Sequence, residues 1–347
     1  MKKYLILSLM AVGSFAVKAQ TKQEKQPYLT KSFSSQKIND VVSQTSGGNI
    51  NVTSVDPSEA RVEVYVFQNG RRGNMLSNDE IRSKIQSDYD LTVNLNNGTL
   101  TATAKPKLRI TNWKNALSFS FLIYVPANVS TNLRTSGGNI ALSGLSGNQD
   151  FATSGGNLEL NELSGKIKGR TSGGNIYLKN CKDELNLATS GGNIMGKSSS
   201  GQIHLSTSGG SIQLKDLDGN IEASTSGGNV EAESVKGDLA ARTSGGNVSL
   251  QKLNCSVKTS TSGGNIDVSI ETPGKFVSIN NSGGRVRLSI PKNTGMDLKL
   301  SAQKISTQNL QNFSGNNSKG QINGTVNGGG IPVTVDAGGG DLDVVFD

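Results

Sequence analysis

The sequence is short of the residues that most often carry chemistry. Histidine occurs once, at His204, and tryptophan once, at Trp113. There are two cysteines and seven prolines in 347 residues. After the N-terminal run Tyr4–Val17 no segment is apolar enough to span a bilayer, and that run is itself too short to do so. Glycine is plentiful at 43 residues, but without a Gly-X-Y period collagen is excluded. The formal charge of +8 is spread along the chain. A nucleic-acid binder would gather it in one stripe, so no nucleic-acid partner is expected.

The N-terminus has the form of an export signal. Lys2 and Lys3 precede the apolar run, and Val17 and Ala19 give a small-residue cleavage pattern with the cut after Ala19. No Cys lies at the cut to carry a lipid anchor. Loss of Lys2, Lys3 and Lys18 lowers the charge to +5. In an exported protein two cysteines suggest a disulfide. Cys181 and Cys255, however, fall in repeats four steps apart, roughly 19 Å at strand spacing. A bridge needs Cα atoms within about 7 Å, so both read as free thiols, with Cys255 in place of a turn glycine.

What is present is a repeat. Thr-Ser-Gly-Gly-Asn begins at Thr135, Thr153, Thr171, Thr189, Thr225, Thr243 and Thr261, with a near copy ending in Ser211 at Thr207. The step is 18 residues throughout, the mark of identical units stacked in one direction. Counting places from each Thr, places 6 and 8 are apolar, as in Ile140 and Leu142 or Ile176 and Leu178. Place 11 (Leu145, Leu163, Cys181, Leu217) and place 15 (Ile167, Leu185, Ile203, Ile221) are apolar too, and place 13 is mostly Gly. Each repeat thus reads as two short strands and two turns.

One coil buries four or five apolar side chains at ~1.5–3 kcal/mol each, against ~1–2 kcal/mol per residue of backbone entropy. Only stacked copies can hold, which predicts an all-β chain wound as a parallel β-solenoid. The glycines at places 3 and 4 are expected to supply unusual backbone angles and close packing. Asn at place 5 is expected to bond amide to amide between coils. Comparison of the two halves puts Ser at place 2 inward and Thr at place 1 outward, although strict alternation from place 17 would reverse this.

The flanks are less regular. Asn39–Gln44 leads as a strand into an isolated copy at Thr45, 90 residues before Thr135. Arg61–Gln68 and Leu117–Val125 read as strands. Ser77–Asp88 reads as the one helix, capped by Ser77 or Asn78, and Asn97-Gly98 turns a hairpin. After the repeats, Met296–Leu300, Gln321–Val326, Ile331–Val335 and Leu342–Phe346 read as strands, and Gln303–Lys319 as a polar excursion. The expected division is residues 1–19 signal peptide, 20–38 leader, 39–134 N-terminal β segment, 135–278 regular repeats, and 279–347 irregular coils and cap.

No catalytic, cofactor-binding or metal-ligating residue emerges, and no cofactor is expected. Calcium-binding nonapeptides need Gly-Gly-x-Gly-x-Asp, whereas this turn is Gly-Gly-Asn-Ile. A polysaccharide lyase or hydrolase needs carboxylates clustered on one face. Place 7 (Ala141, Glu159, Tyr177, Met195, Gln213, Glu231, Ser249, Asp267) and place 16 (Asp150, Lys168, Asn186, His204, Glu222, Ala240, Lys258) are instead mixed outward columns. His204 reads as a solvated surface residue. An outward Thr column would form a flat array of the kind that orders water. Lys105–Lys114, with Lys107, Arg109, Trp113 and Lys114, could hold an acidic glycan, unless Trp113 plugs the solenoid end.

The Thr-Ser-Gly-Gly-Asn-Ile repeats, with the closing Val326-Asn327-Gly328-Gly329-Gly330 and Ala337-Gly338-Gly339-Gly340-Asp341-Leu342, resemble the putative-adhesin family of exported bacterial β-strand-repeat proteins. The resemblance spans residues 39–347. It implies a right-handed β-helix in a domain of unknown function, at the cell surface, in the periplasm or secreted from a Gram-negative bacterium, with surface glycans or proteins as partners. It carries no site residues. The reading is a non-enzymatic adhesin-like protein. The alternatives are a carbohydrate-processing enzyme and an envelope assembly protein.

Overall fold

A computed structural model describes residues 26–69, 76–109, 116–308 and 310–347; the signal-peptide reading lies outside them. The described strands join one hydrogen-bonded sheet that winds into two ladders. The front ladder stacks places 6–9: Ile50–Ser54, Ile140–Ser143, Leu158–Asn161, Ile176–Lys179 and Ile194–Lys197 pair in parallel, in that order. The rear ladder stacks places 15–18, from Ser130–Arg134 through Gln149–Ala152 and Lys166–Arg170 to Lys182–Ala188. Partners lie 18 residues apart, as Ile176 to Ile194 and Leu185 to Ile203. The apolar columns at places 6, 8, 11 and 15 fill the space between the ladders; Ile140, Leu145, Ile167, Ile176 and Ile194 are all buried. Toward the C-terminal side the ladder pairing continues through the turn between the two strands of a coil. Ile212–Ser224, Val230–Arg242 and Val248–Thr261 each run as one strand from the front ladder to the rear.

The pentapeptide faces the other way from the half-repeat comparison. Thr135, Thr153, Thr171, Thr189 and their successors are buried, while Ser136 and Ser154 are exposed. Strict alternation through the end of the rear strand decides it. Each Thr Oγ1 from Thr135 to Thr261 donates to the place-4 glycine carbonyl of the preceding coil, at 2.7–2.9 Å. It also accepts from the place-4 N–H of its own coil, at 3.2–3.4 Å. There is therefore no outward Thr array.

Asn at place 5 bonds to backbone, not to its own kind. Asn139 Oδ1 accepts the Asn157 N–H and Asn157 Oδ1 that of Asn175, both at 2.8 Å. Ser211 Oγ keeps the series intact by accepting from Asn229. The glycines also divide differently. Neither place 3 nor place 4 has a positive φ; the left-handed positions are place 10 (Glu162, Asn180, Ser198, Asp216, Ser234, Lys252) and place 13 (Gly147, Gly165, Gly201, Gly219, Gly237). Place 4 is glycine for want of space. A Cβ on Gly192 would overlap the Gly174 carbonyl, whereas one on Gly191 meets only ordinary contacts from 3.6 Å outward.

The isolated copy at Thr45 is the coil adjoining Thr135, although 90 residues separate the two in sequence. Asp40–Gln44 pairs with Ser130–Arg134, and Thr135 bonds to Gly48. The intervening chain folds back beneath it. Thr99–Pro106 and Leu117–Val125 stack in parallel on the outer side of Asp40–Gln44 and Ile50–Ser54. Tyr89–Asn96 and Arg61–Gln68 cover those strands antiparallel. The residue 20–38 leader also contributes, since Leu29–Ser32 pairs with Arg61–Gln68. The helix is Asn78–Asp88, with Ser77 and Glu80 forming a capping box.

The other end repeats the exchange. Ile331–Asp336 and Asp341–Phe346, last in sequence, insert between Val277–Asn281 with Val286–Ile290 on one side and Met296–Ser301 with Lys304–Gln308 on the other. Gln303–Lys319 is accordingly not a plain excursion. It holds the Lys304–Gln308 strand and Phe313–Ser318, which hairpins with Gln321–Val326.

Thr189→Val removes a hydroxyl that satisfies two buried backbone groups, and should cost about 2–4 kcal/mol in chemical denaturation. Thr45 Oγ1 is buried without a partner, so Thr45→Val should be neutral or stabilising. Gly192→Ala should cost about 3 kcal/mol through overpacking, and Gly191→Ala less than about 1 kcal/mol.

Candidate functional site

With places 1, 4 and 5 spent on joining coils, variation is left to the outward side chains. On the front ladder these are places 7 and 9. Two abutting hollows of about 650 Å³ each run along this face and meet at Met195 and Gly196. The first is walled by place 7 (Glu159, Tyr177, Met195) and place 9 (Asn161, Lys179, Lys197). The second is walled by Gln213, Lys215, Glu231 and Glu233. The floor is strand backbone already committed to the ladder, with the place-8 leucines turned into the core beneath it. Alternation puts place 7 and place 9 of one strand on the same side, about 6.8 Å apart. Each further coil adds another pair about 4.8 Å along. Met195 is an exposed apolar residue, at 40%. The Tyr177 hydroxyl accepts from Asn175 Nδ2 at 3.1 Å, which steadies the ring at the groove edge.

The groove carboxylates do not form an acid–base pair. Glu159 and Glu231 stand four coils apart, about 19 Å. Glu231 and Glu233 are closer, on one strand, but Glu233 is committed. Lys215 Nζ reaches it at 2.8 Å and Lys252 Nζ at 2.7 Å. Those two hydrogen-bonded ammonium groups hold its carboxyl down to about 2, the opposite of what a general acid requires. Among the described residues no three of His, Cys, Asp or Glu converge as metal ligands.

The rear outward column is as mixed as its sequence, and some of its charges are paired, as Asp150 with Arg134. His204 is exposed with Nδ1 3.1 Å from Glu222 Oε2, and Arg242 binds the other Glu222 oxygen. Of the Lys105–Lys114 segment, Lys107 Nζ donates to the Gln86 carbonyl at the helix end, and Lys105 lies in register with Asp90. Trp113 and Lys114 lie outside the described residues. Cys181 and Cys255 are buried and free. Cys255 takes the register position of Gly237, and burial, with Asp238 adding to it, pushes its thiol up to about 12.

Sequence reasoning listed the groove's place-7 wall but had no means to see the groove. Its second wall, place 9, carries Ser, Asn, Lys, Glu and Gln with no repeated motif to mark it.

The family model of Toastrack DUF4097 matches residues 177–345. The match takes in just under half of the chain. The matched stretch takes in Tyr177, Lys179 and everything in the groove C-terminal to them, while Glu159 and Asn161 precede it. A putative adhesin of Bacteroides fragilis is 19% identical over 73% of this chain and 96% of its own, with a TM-score of 0.35. A putative cell adhesion protein of Clostridium sporogenes is 12% identical over 92% and 98%, with a TM-score of 0.20. At such scores neither likeness bears on details of this chain. No curated protein matches it, and no described helix is long and apolar enough to cross a membrane.

Glu233→Gln should lower the melting temperature at neutral pH by freeing Lys215 and Lys252. A carboxyl held below its ordinary 4.5 stabilises the fold above that pH and loses the effect as pH falls through about 2. The gap between variant and parent should therefore close between pH 4.5 and 2 in a melting series. Both thiols should resist iodoacetamide in the native chain and react once it is unfolded.

Proposed function

We propose that the protein is a non-enzymatic, exported, adhesin-like β-solenoid that holds a partner from the cell envelope, matrix or host surface along its front groove. The observation that carries this reading is the division of labour between columns. The repeated side chains are consumed in joining coils, whereas places 7 and 9 change from coil to coil and line an open channel. A contact surface of this kind needs a rigid floor and adjustable walls, and the solenoid supplies both.

The architecture we infer is a right-handed parallel β-helix with 18-residue coils. The 18-residue partner spacing supports the coil length, and the general right-handedness of parallel crossovers supports the hand. Residues 135–278 form the regular body between an N-terminal segment (39–134) and a C-terminal cap (279–347), and a signal peptide is cleaved after Ala19. The carbohydrate-processing alternative is weakened by the commitment of Glu233 to two lysines. Assembly through the solenoid ends is weakened by the antiparallel hairpins at Tyr89–Pro106 and Phe313–Val326, which cover the outer rear strands.

The purified chain should retain at least one glycan or matrix protein in a binding screen without releasing new sugar ends. Turnover of a retained glycan, or retention of nothing, would refute the reading. A deletion of residues 51–130 is unsuitable as a comparison, because it removes most of the Ile50–Ser54 strand and the coil beneath it. Point variants on the groove walls leave the stack whole. N-terminal sequencing of the exported chain should begin at Gln20.

A further inference from the structure

Stacking at a fixed step places every outward charge opposite the same place in the next coil. Where two charged residues meet in register, the signs oppose: Asp150 with Lys168, Lys166 with Glu184, Asp218 with Lys236, Asp267 with Arg287, Lys304 with Asp341. Among the described residues one run breaks this pattern. Lys179 is in register with Lys197, and Lys197 with Lys215. Lys215 is answered by Glu233. Lys179 and Lys197 are exposed, have no ion pair, and stand on the wall of the groove. Like charges directly opposite on neighbouring strands destabilise a sheet, so nothing in the stack itself accounts for them.

Resting on the reading of the groove as a contact surface, we propose that Lys179 and Lys197 bind the carboxylates of a linear acidic polysaccharide lying along the solenoid axis, with Tyr177 stacking on a sugar ring. Three features select this occupant. Two ammonium groups about 4.8 Å apart at the backbone match an anionic polymer by charge and by direction. Tyr177 and Met195, on the facing wall, present the apolar surface that a sugar ring covers. The remaining wall residues, such as Asn161, Glu159 and Gln213, offer side-chain donors and acceptors to hydroxyl groups. An acidic peptide fits less well. Peptides that lie on sheets bind by adding a strand to an open edge, and the backbone under this groove is already paired on both sides.

The test uses the purified chain with polygalacturonate, which bears one carboxylate per sugar, beside neutral dextran and poly-glutamate. Polygalacturonate should bind, dextran should not, and binding should weaken from 50 to 200 mM salt. Lys179→Gln/Lys197→Gln should weaken it by about tenfold or more, and Tyr177→Ala should also weaken it. Lys168→Gln/Lys258→Gln on the rear face should leave it unchanged. The groove double variant should also melt higher than the parent, because it removes a repulsion; a binding loss with a lower melting point would mean damage to the fold and would count against the proposal. Equal binding of poly-glutamate with the same sensitivity to the variants would overturn the sugar assignment in favour of an acidic polypeptide. Polygalacturonate binding indifferent to the groove variants would overturn the site. If polygalacturonate fails while another glycan or matrix protein is still retained, the acidic-sugar proposal falls and the contact-surface reading stands.

Discussion

The fold depends on a backbone-to-backbone approach at place 4 of each coil. There the carbonyl of one glycine lies so near the next coil's glycine that no side chain fits between them. That proximity lets one Thr hydroxyl bridge two coils, donating down to a carbonyl and accepting from the N–H beside it. Buried backbone groups at a tight turn have no ladder partner of their own, and leaving them unpaired is expensive. Thr-Ser-Gly-Gly-Asn is therefore a fastening. Thr closes the turn to the core side, glycine permits the approach, and Asn hands its side-chain oxygen to the next coil's N–H. The substitutions at its margins fit this account. Asn281 stands in the Thr position and its Nδ2 donates to the Gly264 carbonyl at 3.0 Å. Thr45, with no Gly-Gly turn beneath it, keeps an unused oxygen.

Much of this was legible in the sequence, because a repeat makes the same statement many times. The apolar columns, the 18-residue step, the helix cap at Ser77 and the hairpin at Asn97-Gly98 could all be read from local pattern. The orientation of the pentapeptide could not be settled by comparing half-repeats. Ser136 and Leu145 hold equivalent places by count, but a left-handed residue, Gly144, precedes Leu145 and none precedes Ser136, so alternation from Leu133 through Thr135 overrides the analogy. The ends were illegible for another reason. Stacking order differs from sequence order at both, and no local signal says that Asp341–Phe346 will slide between two earlier strands. The place-10 residues also hid their role, since Glu162, Ser234 and Lys252 take left-handed backbone that composition would assign to glycine or asparagine.

The exchange at the two ends has a physical sense. A solenoid wound strictly in order exposes its last strand as an open edge. Here the last strand, with Phe346 buried, has a partner on each side, and the outermost rear strands are covered by antiparallel hairpins. The strand that ends the chain is therefore interior to the stack, and the single-partner edges fall to short flanking strands such as Lys304–Gln308 and Leu29–Ser32.

A stacked repeat also constrains what its surface can carry. In a globular protein a lone lysine has many directions in which to find water or a partner. In a ladder it faces the same place above and below, at a spacing set by backbone hydrogen bonds. The stack therefore penalises a run of one sign and rewards alternation, and among the described residues the in-register charge pairs oppose in sign except along Lys179, Lys197 and Lys215. A run that does not, placed on a groove wall, stores a repulsion that an anion can relieve. The pentapeptide, despite its prominence, is spent on holding the floor in place, which leaves the columns that vary as the surface open to a partner.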